Sequence, residues 1–219
     1  MPTNISEIVS LTEEWVDEAG EVLADAFHDY PLTRYLFEGS GARYHVELRS
    51  SFRLDCLYRV ELGWPFLGAL ADGKLVGVAL VVGLNRSPED TALHKIESSL
   101  LASFGAQTAT RLREYGDMKA RHKPRRRHMY LESIGVLAGH RGEGHAGRLL
   151  RRVHQISETT PLSAGVGLDT QLPGNLPLYQ HFGYEVTDET SMGNVPVWFM
   201  FRPNQERPGD TTGAAGAGR

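Results

Sequence analysis

Cysteine is almost absent. The chain of 219 residues has one, Cys56, so no internal disulfide can form and stability must come from a packed core. Long hydrophobic runs are missing too. The longest, Leu75 to Leu84, is too short to cross a bilayer, so no membrane partner is expected. There is no excess of positive charge. Lys and Arg number 23 against 27 Asp and Glu, a net charge of -4, which gives no support to a nucleic-acid surface. The nine histidines show neither H-E-x-x-H nor Cys/His ligand spacing, so no metal is expected. No basic-then-apolar leader opens the sequence, and the expected location is cytoplasmic. Repeats and a second-domain signal are lacking as well. What is present is ordinary for a globular protein: 41% hydrophobic and 23% charged residues, enough chain for one domain with a sizeable core.

Periodicity orders the chain. Residues 4–9 read as an edge strand. Ser10 or Thr12 then caps a helix whose apolar face is Trp15, Ala19, Val22, Leu23, Ala26 and Phe27. It should stop near Tyr30-Pro31, because a residue before proline is pushed from helical angles. A second helix is predicted over 42–62, with Cys56 on a buried stripe alongside Tyr44, Leu48, Phe52 and Val60. Asp72-Gly73 splits the next apolar stretch into a hairpin. Residues 88–120 read as helical, and Arg125-Arg126-Arg127 either meets a phosphate or is a solvated loop. From Pro203 the composition turns to Pro, Gly, Ala, Thr and charge, predicting a domain over 1–203 and a disordered tail over 204–219.

The densest information lies at Arg141-Gly142-Glu143-Gly144-His145-Ala146. A strand, Tyr130 to Leu137, precedes it. Afterwards Ala146, Leu149, Leu150, Val153 and Ile156 recur at helical spacing. A strand, a glycine-rich turn and a helix aim backbone N–H groups at one spot on the positive end of the helix dipole, and phosphate is the natural guest. The loop lacks the Gly-Lys-Ser/Thr of a Walker motif and the G-x-G-x-x-G of a dinucleotide fingerprint. Some thirty residues on, after a short strand at Gly165–Thr170, Asn175-Leu176-Pro177-Leu178-Tyr179 opens a short helix that ends at Gly183-Tyr184. Asn175 suits an N-cap, Pro177 the first turn and Gly183 the C′ position.

The pattern Arg-x-x-Gly-x-Ala, followed by the Asn-to-Tyr helix, resembles the GCN5-related N-acetyltransferase (GNAT) superfamily. Asp25 to Arg34, His122-Lys123-Pro124 and Val197 to Met200 resemble its puromycin N-acetyltransferase-like branch. The resemblance implies an α/β fold: a mixed, twisted sheet of six to seven strands with helices on both faces, in the order β-α-α-β-β-α-β-α-β-α-β-β. It implies a central strand that splays from its neighbour.

It also implies roles. Acetyl-CoA is the co-substrate and a small-molecule amine, such as an antibiotic or amino-nucleoside-like compound, the acceptor. Arg141, Gly142, Glu143, Gly144, His145 and Ala146 hold pyrophosphate, and Ile134, Gly135 and Val136 run beside pantetheine. Asn175 either touches that arm or only caps its helix. Tyr179 is the proton donor to the leaving thiolate. Glu132, sharing strand parity with Ile134 and Val136, is either the base or half of a pair with an arginine, and Tyr30 is the rival. His145 replaces an apolar residue usual in the loop. A homodimer, a peptide acceptor and a non-catalytic acyl-CoA sensor stay open.

Overall fold

A computed structural model describes residues 7–85 and 92–205. Residues 4–6 of the first expected strand, 88–91 of the expected helix and 206–219 of the expected tail lie outside the described residues. Seven strands form one sheet: β1 (Glu7–Ser10), β2 (Phe66–Ala71), β3 (Lys74–Val82), β4 (Met129–Val136), β5 (Gly165–Thr170), β6 (Glu185–Met192) and β7 (Val195–Pro203). Their order is β1-β2-β3-β4-β5-β7-β6. The pair β4–β5 is parallel; the other neighbours are antiparallel.

Helices cover both faces. On one lie α1 (Val16–Ala26), α2 (Pro31–Leu36), α3 (Tyr44–Leu62), α4 (Leu93–Ser103) and α5 (Ala106–His122), around a core that includes Leu23, Leu48, Phe52, Val78 and Phe199. On the other lie α6 (His145–Thr159) and α7 (Leu176–His181), around Leu149, Leu150, Val153 and Leu168. Helix α6 follows directly from its pattern. Leu149, Leu150 and Val153 are fully buried while Arg151 and Arg152 face solvent. Truncating either leucine to alanine is worth about 2–5 kcal/mol of stability.

Several local expectations need correction. The helix expected to end at Tyr30-Pro31 ends at Ala26, and Pro31 begins a further helix, α2, as its N1 residue; the ring that forbids a helical Tyr30 is preorganised for a first turn. The single helix over 88–120 is two, because Phe104 (ψ 156) and Gly105 (ψ 151) are extended between α4 and α5. The order is therefore β-α-α-α-β-β-α-α-β-α-β-α-β-β. Thr12 does not cap an amide; its hydroxyl donates to Glu14 Oε1 at 2.9 Å. Cys56 is fully buried, and burial pushes its thiol up to about 12, whereas Val60, placed on the same stripe, is exposed. At the far end Asn204 Nδ2 donates to Ser157 O and Ser163 O at 3.0 and 2.9 Å, so ordered packing runs past residue 203.

The feature that creates the site is a split in the sheet. Parallel pairing of β4 with β5 covers Met129↔Val166, Tyr130↔Gly167 and Leu131↔Leu168, and then stops. Beyond Leu131 the two strands diverge, leaving the β5-facing edge of β4 without a strand partner.

Candidate functional site

At the split lies a cavity of about 570 Å³. Its walls come from the turn after α1, from α2–α5, β4, β5 and α7, and include Tyr30, Asp55, Glu132, Ile134, Asn175 and Tyr179. Below the split the phosphate loop leads into α6. Gly142 and Gly144 take φ of 82° and 81°, the left-handed region that glycine enters at no steric cost. Arg148 N to Gly144 O at 3.1 Å is the first helical bond of α6, so the amides ahead of it carry no helical acceptor and gather at its positive end. Arg141 turns away from this spot. Its Nε donates to Val136 O at 3.3 Å and its Nη2 to Ala26 O at 3.2 Å, fastening the loop to the end of α1.

His145 resolves the doubt its polarity raised. It is 2% exposed. Arg148 Nη2 lies 3.2 Å from its Nδ1 and Glu143 Oε2 2.8 Å from its Nε2, which fits a neutral ring protonated at Nε2. Both histidines, His140 and His145, hold Glu143 and lower its carboxyl from the usual range. The cluster His140, Glu143 and His145 brings ligand atoms within 4.8 Å of one another, as does Glu21, Asp25 and His45. In the second set Glu21 is ion-paired with Arg49 Nε at 2.5 Å and with His45 Nε2 at 2.9 Å. The loop, with its gathered amides and its one carboxylate held aside, fits a diphosphate.

Tyr179 lies on the cavity wall, buried, with its ring 5.7 Å from that of Tyr184. Among the described residues its hydroxyl has no hydrogen-bond partner. Burial, with help from Tyr30 and Asp169, drives its pKa far above the usual phenol value, so the hydroxyl keeps its proton. Tyr30 is built into a network instead. Its oxygen accepts from Gln171 N at 3.0 Å and meets Thr170 Oγ1 at 3.1 Å, and burial raises it. Asn175 sits at the N-cap position without capping; its Nδ2 donates to the same Thr170 oxygen at 3.1 Å. The capping role expected for it is corrected on that ground.

Glu132 occupies a β-bulge. Leu80 pairs with Ser133 and Val81 with Leu131, leaving Glu132 unpaired between them. The parity expected for this strand is thereby broken, and Glu132, Ser133 and Ile134 all line the cavity. Of the two alternatives for Glu132, a base or half of a pair with an arginine, the structure shows a pair, and the partner is a lysine. Lys119 Nζ bonds it directly, with 19% and 14% of the two side chains exposed. Burial acts to raise the Glu132 carboxyl, but Lys119, Lys123 and Arg59 together outweigh it and bring it down to about 2.

Three contributors gave no site signal in the sequence, although Lys123 belongs to the His122-Lys123-Pro124 resemblance. Asp169 on β5 accepts from Tyr115 Oη at 2.7 Å, from Gln171 Nε2 at 2.6 Å and from the Tyr130 hydroxyl. Lys123 Nζ sits 3.7 Å above the Tyr130 ring, and burial lowers it. Asp55 faces the cavity from α3. Each is an ordinary charged residue in its own segment, and only tertiary packing gives it meaning.

Residues 36–184 match the model of the Acetyltransferase (GNAT) family. Solved structures share the fold. A histone acetyltransferase HPA2 and related acetyltransferase from Corynebacterium glutamicum is 20% identical, with 93% of this chain and 98% of that one covered and a TM-score of 0.64. Arylalkylamine N-acetyltransferase 2 from Aedes aegypti is 14% identical over 92% and 100%, with a TM-score of 0.66. Drosophila melanogaster polyamine N-acetyltransferase is 16% identical over 90% and 98%, with a TM-score of 0.65. Among the described residues no helix is long and apolar enough to cross a membrane.

Proposed function

Because the chain belongs to the acetyltransferase (GNAT) family, we propose that it acetylates the primary amine of a small molecule by direct attack within a ternary complex. Acetyl-CoA supplies the activated acetyl thioester. The observation that carries the reading is the cavity at the β4–β5 split, with Ile134 on one wall and Tyr179 on another. A volume of about 570 Å³ is that of a small-ligand pocket. The names of two fold neighbours, an arylalkylamine and a polyamine N-acetyltransferase, support an amine of that size. Likeness to the puromycin branch keeps an amino-nucleoside in the set of acceptors to test.

The residues divide the work. Backbone N–H groups from Gly142 to Ala146 hold the pyrophosphate, while Arg141, whose own N–H donates to Ala138 O at 3.4 Å, fixes the loop against α1. The open edge of β4 at Ile134, Gly135 and Val136 offers peptide groups to the pantetheine amides, and an N–H there serves the oxyanion. Tyr179 donates the proton that the departing thiolate needs. Tyr30, fixed by Gln171, Thr170 and Asn175, shapes the acceptor side. Glu132, ion-paired and held near a pKa of about 2, is too weak a base for an amine, and its role is to anchor Lys119 at the bulge.

The test is a free-thiol assay of purified protein with acetyl-CoA against arylalkylamines, polyamines, puromycin and a basic peptide. Amine-dependent CoA release is the expected result, with a small amine preferred. Preference for the peptide would move the acceptor class. No release from any amine, together with tight acetyl-CoA binding, would replace the enzyme by a sensor.

A further inference from the structure

With Glu132 clamped by Lys119 and Tyr30 held as a neutral phenol, the amine's proton still needs a destination. Among the described residues, Asp55 is the cavity carboxylate that only a long ion pair engages. Asp55 lies on α3, and its side chain lines the cavity. Its side chain is partly exposed, with 36% accessible, on the cavity wall. Among the described residues its ion pair is a long one, to Arg59. Arg59, one helical turn on, keeps Nη1 at 3.9 Å from Asp55 Oδ1 and donates instead to the Asp55 backbone oxygen at 3.1 Å. Tyr58, Trp64 and Phe104 line the same cavity, surfaces that suit the body of an organic amine.

We propose that Asp55 receives the acceptor's ammonium group and takes its first proton, which rests on the acetyltransferase reading above. The step balances. The ammonium gives one proton to the Asp55 carboxylate and becomes a neutral amine. Its nitrogen lone pair forms the C–N bond to the acetyl carbon as the C–S bond breaks. The thiolate takes the Tyr179 proton, and the second nitrogen proton restores that phenol. Asp55 returns its proton to solvent. The charged groups around Asp55 are Arg59 on α3, Glu97 on α4, Lys119 on α5 and Glu132 on β4. Burial raises the carboxyl, Arg59 opposes it, and the balance is about 6. The group is therefore ionised at neutral pH and is a far better base than Glu132. Activity that needs its carboxylate is present above pH 6 and falls below it.

The experiment compares wild type with Asp55→Asn and Asp55→Glu. Loss of a general base costs about 10²–10⁴-fold in rate. Asp55→Asn is expected to lose at least about 10²-fold in kcat/KM and to weaken acceptor binding by calorimetry, while acetyl-CoA affinity stays within about twofold; Asp55→Glu recovers part of the activity. Carboxyl ¹³C NMR of the wild-type protein without ligands should show an Asp signal titrating near pH 6 that the Asn variant lacks, a readout that needs no turnover. Wild-type-like kcat/KM in Asp55→Asn, or no carboxyl titrating between pH 5 and 7, would overturn the proposal. If wild type itself releases no CoA with any amine, the acetyltransferase reading fails first and this one with it.

Discussion

The glycine-rich loop and the cavity, proposed above to hold phosphate and acceptor, are built on opposite plans. The loop is local: six consecutive residues, two glycines at positive φ and the first turn of α6 make it. Its chemistry is in the backbone. The cavity is distributed: α3 brings Asp55, α5 brings Lys119, β4 brings Glu132, β5 brings Asp169 and α7 brings Tyr179. Its chemistry is in side chains whose charges exist only because packing sets them against one another. A loop of the first kind can be written in a short motif and reused. A site of the second kind can change its substrate through single residues while the loop stays the same.

The sharpest way to separate the two plans is to damage the cavity alone. Tyr179→Phe removes the proton donor and keeps the ring that packs on Tyr184. The expected loss in kcat is at least about 10²-fold, with acetyl-CoA affinity unchanged by calorimetry. Lys119→Met comes next. It leaves Glu132 buried without its main partner, and breaking such a pair costs about 3–5 kcal/mol, read in a denaturant titration at pH 7. The pH dependence has a defined sign. The folded Glu132 value of about 2 lies below its ordinary 4.5, so its stabilisation is present above pH 4.5 and lost as pH falls toward 2. The deficit of Lys119→Met should therefore shrink below pH 4.5, where the stranded carboxyl can take up a proton.

Damage confined to the loop should look different. Gly142→Ala places a side chain at φ 82° where an added Cβ touches nothing within 4 Å, so only backbone strain of about 1–2 kcal/mol acts. Acetyl-CoA should bind about tenfold more weakly. The smallest effect is expected for Glu143→Gln. Removing this exposed charge beside the phosphate position should tighten acetyl-CoA by about two- to fivefold at low salt, and the gain should fade at high salt.

The same contrast explains what could be read before folding. The loop, the helix that follows it and the Asn-to-Tyr segment were legible, because their signals are glycine placement and apolar period. The fold class came with the family resemblance that these segments carry. The acceptor charges were not. Asp55 stands between Leu54 and Cys56 as one polar residue of a helix, and nothing in that segment says that a cavity lies in front of it. Glu132 was placed by strict alternation, and the bulge opposite Leu80 and Val81 broke that alternation. Asn175 carried a sound capping signal, but Thr170 competes for its amide. Pro31 was read as an end and is also a beginning.

The division of labour is tested most directly by titrating acetyl-CoA into Gly142→Ala and Tyr179→Phe by calorimetry, and measuring kcat for both at saturating acetyl-CoA. The expected result is a crossed pattern: the loop variant binds about tenfold more weakly and turns over within about twofold of wild type, while the tyrosine variant binds normally and turns over at least about 10²-fold more slowly. Equal turnover in Tyr179→Phe and wild type, or unchanged acetyl-CoA affinity in Gly142→Ala, would contradict it.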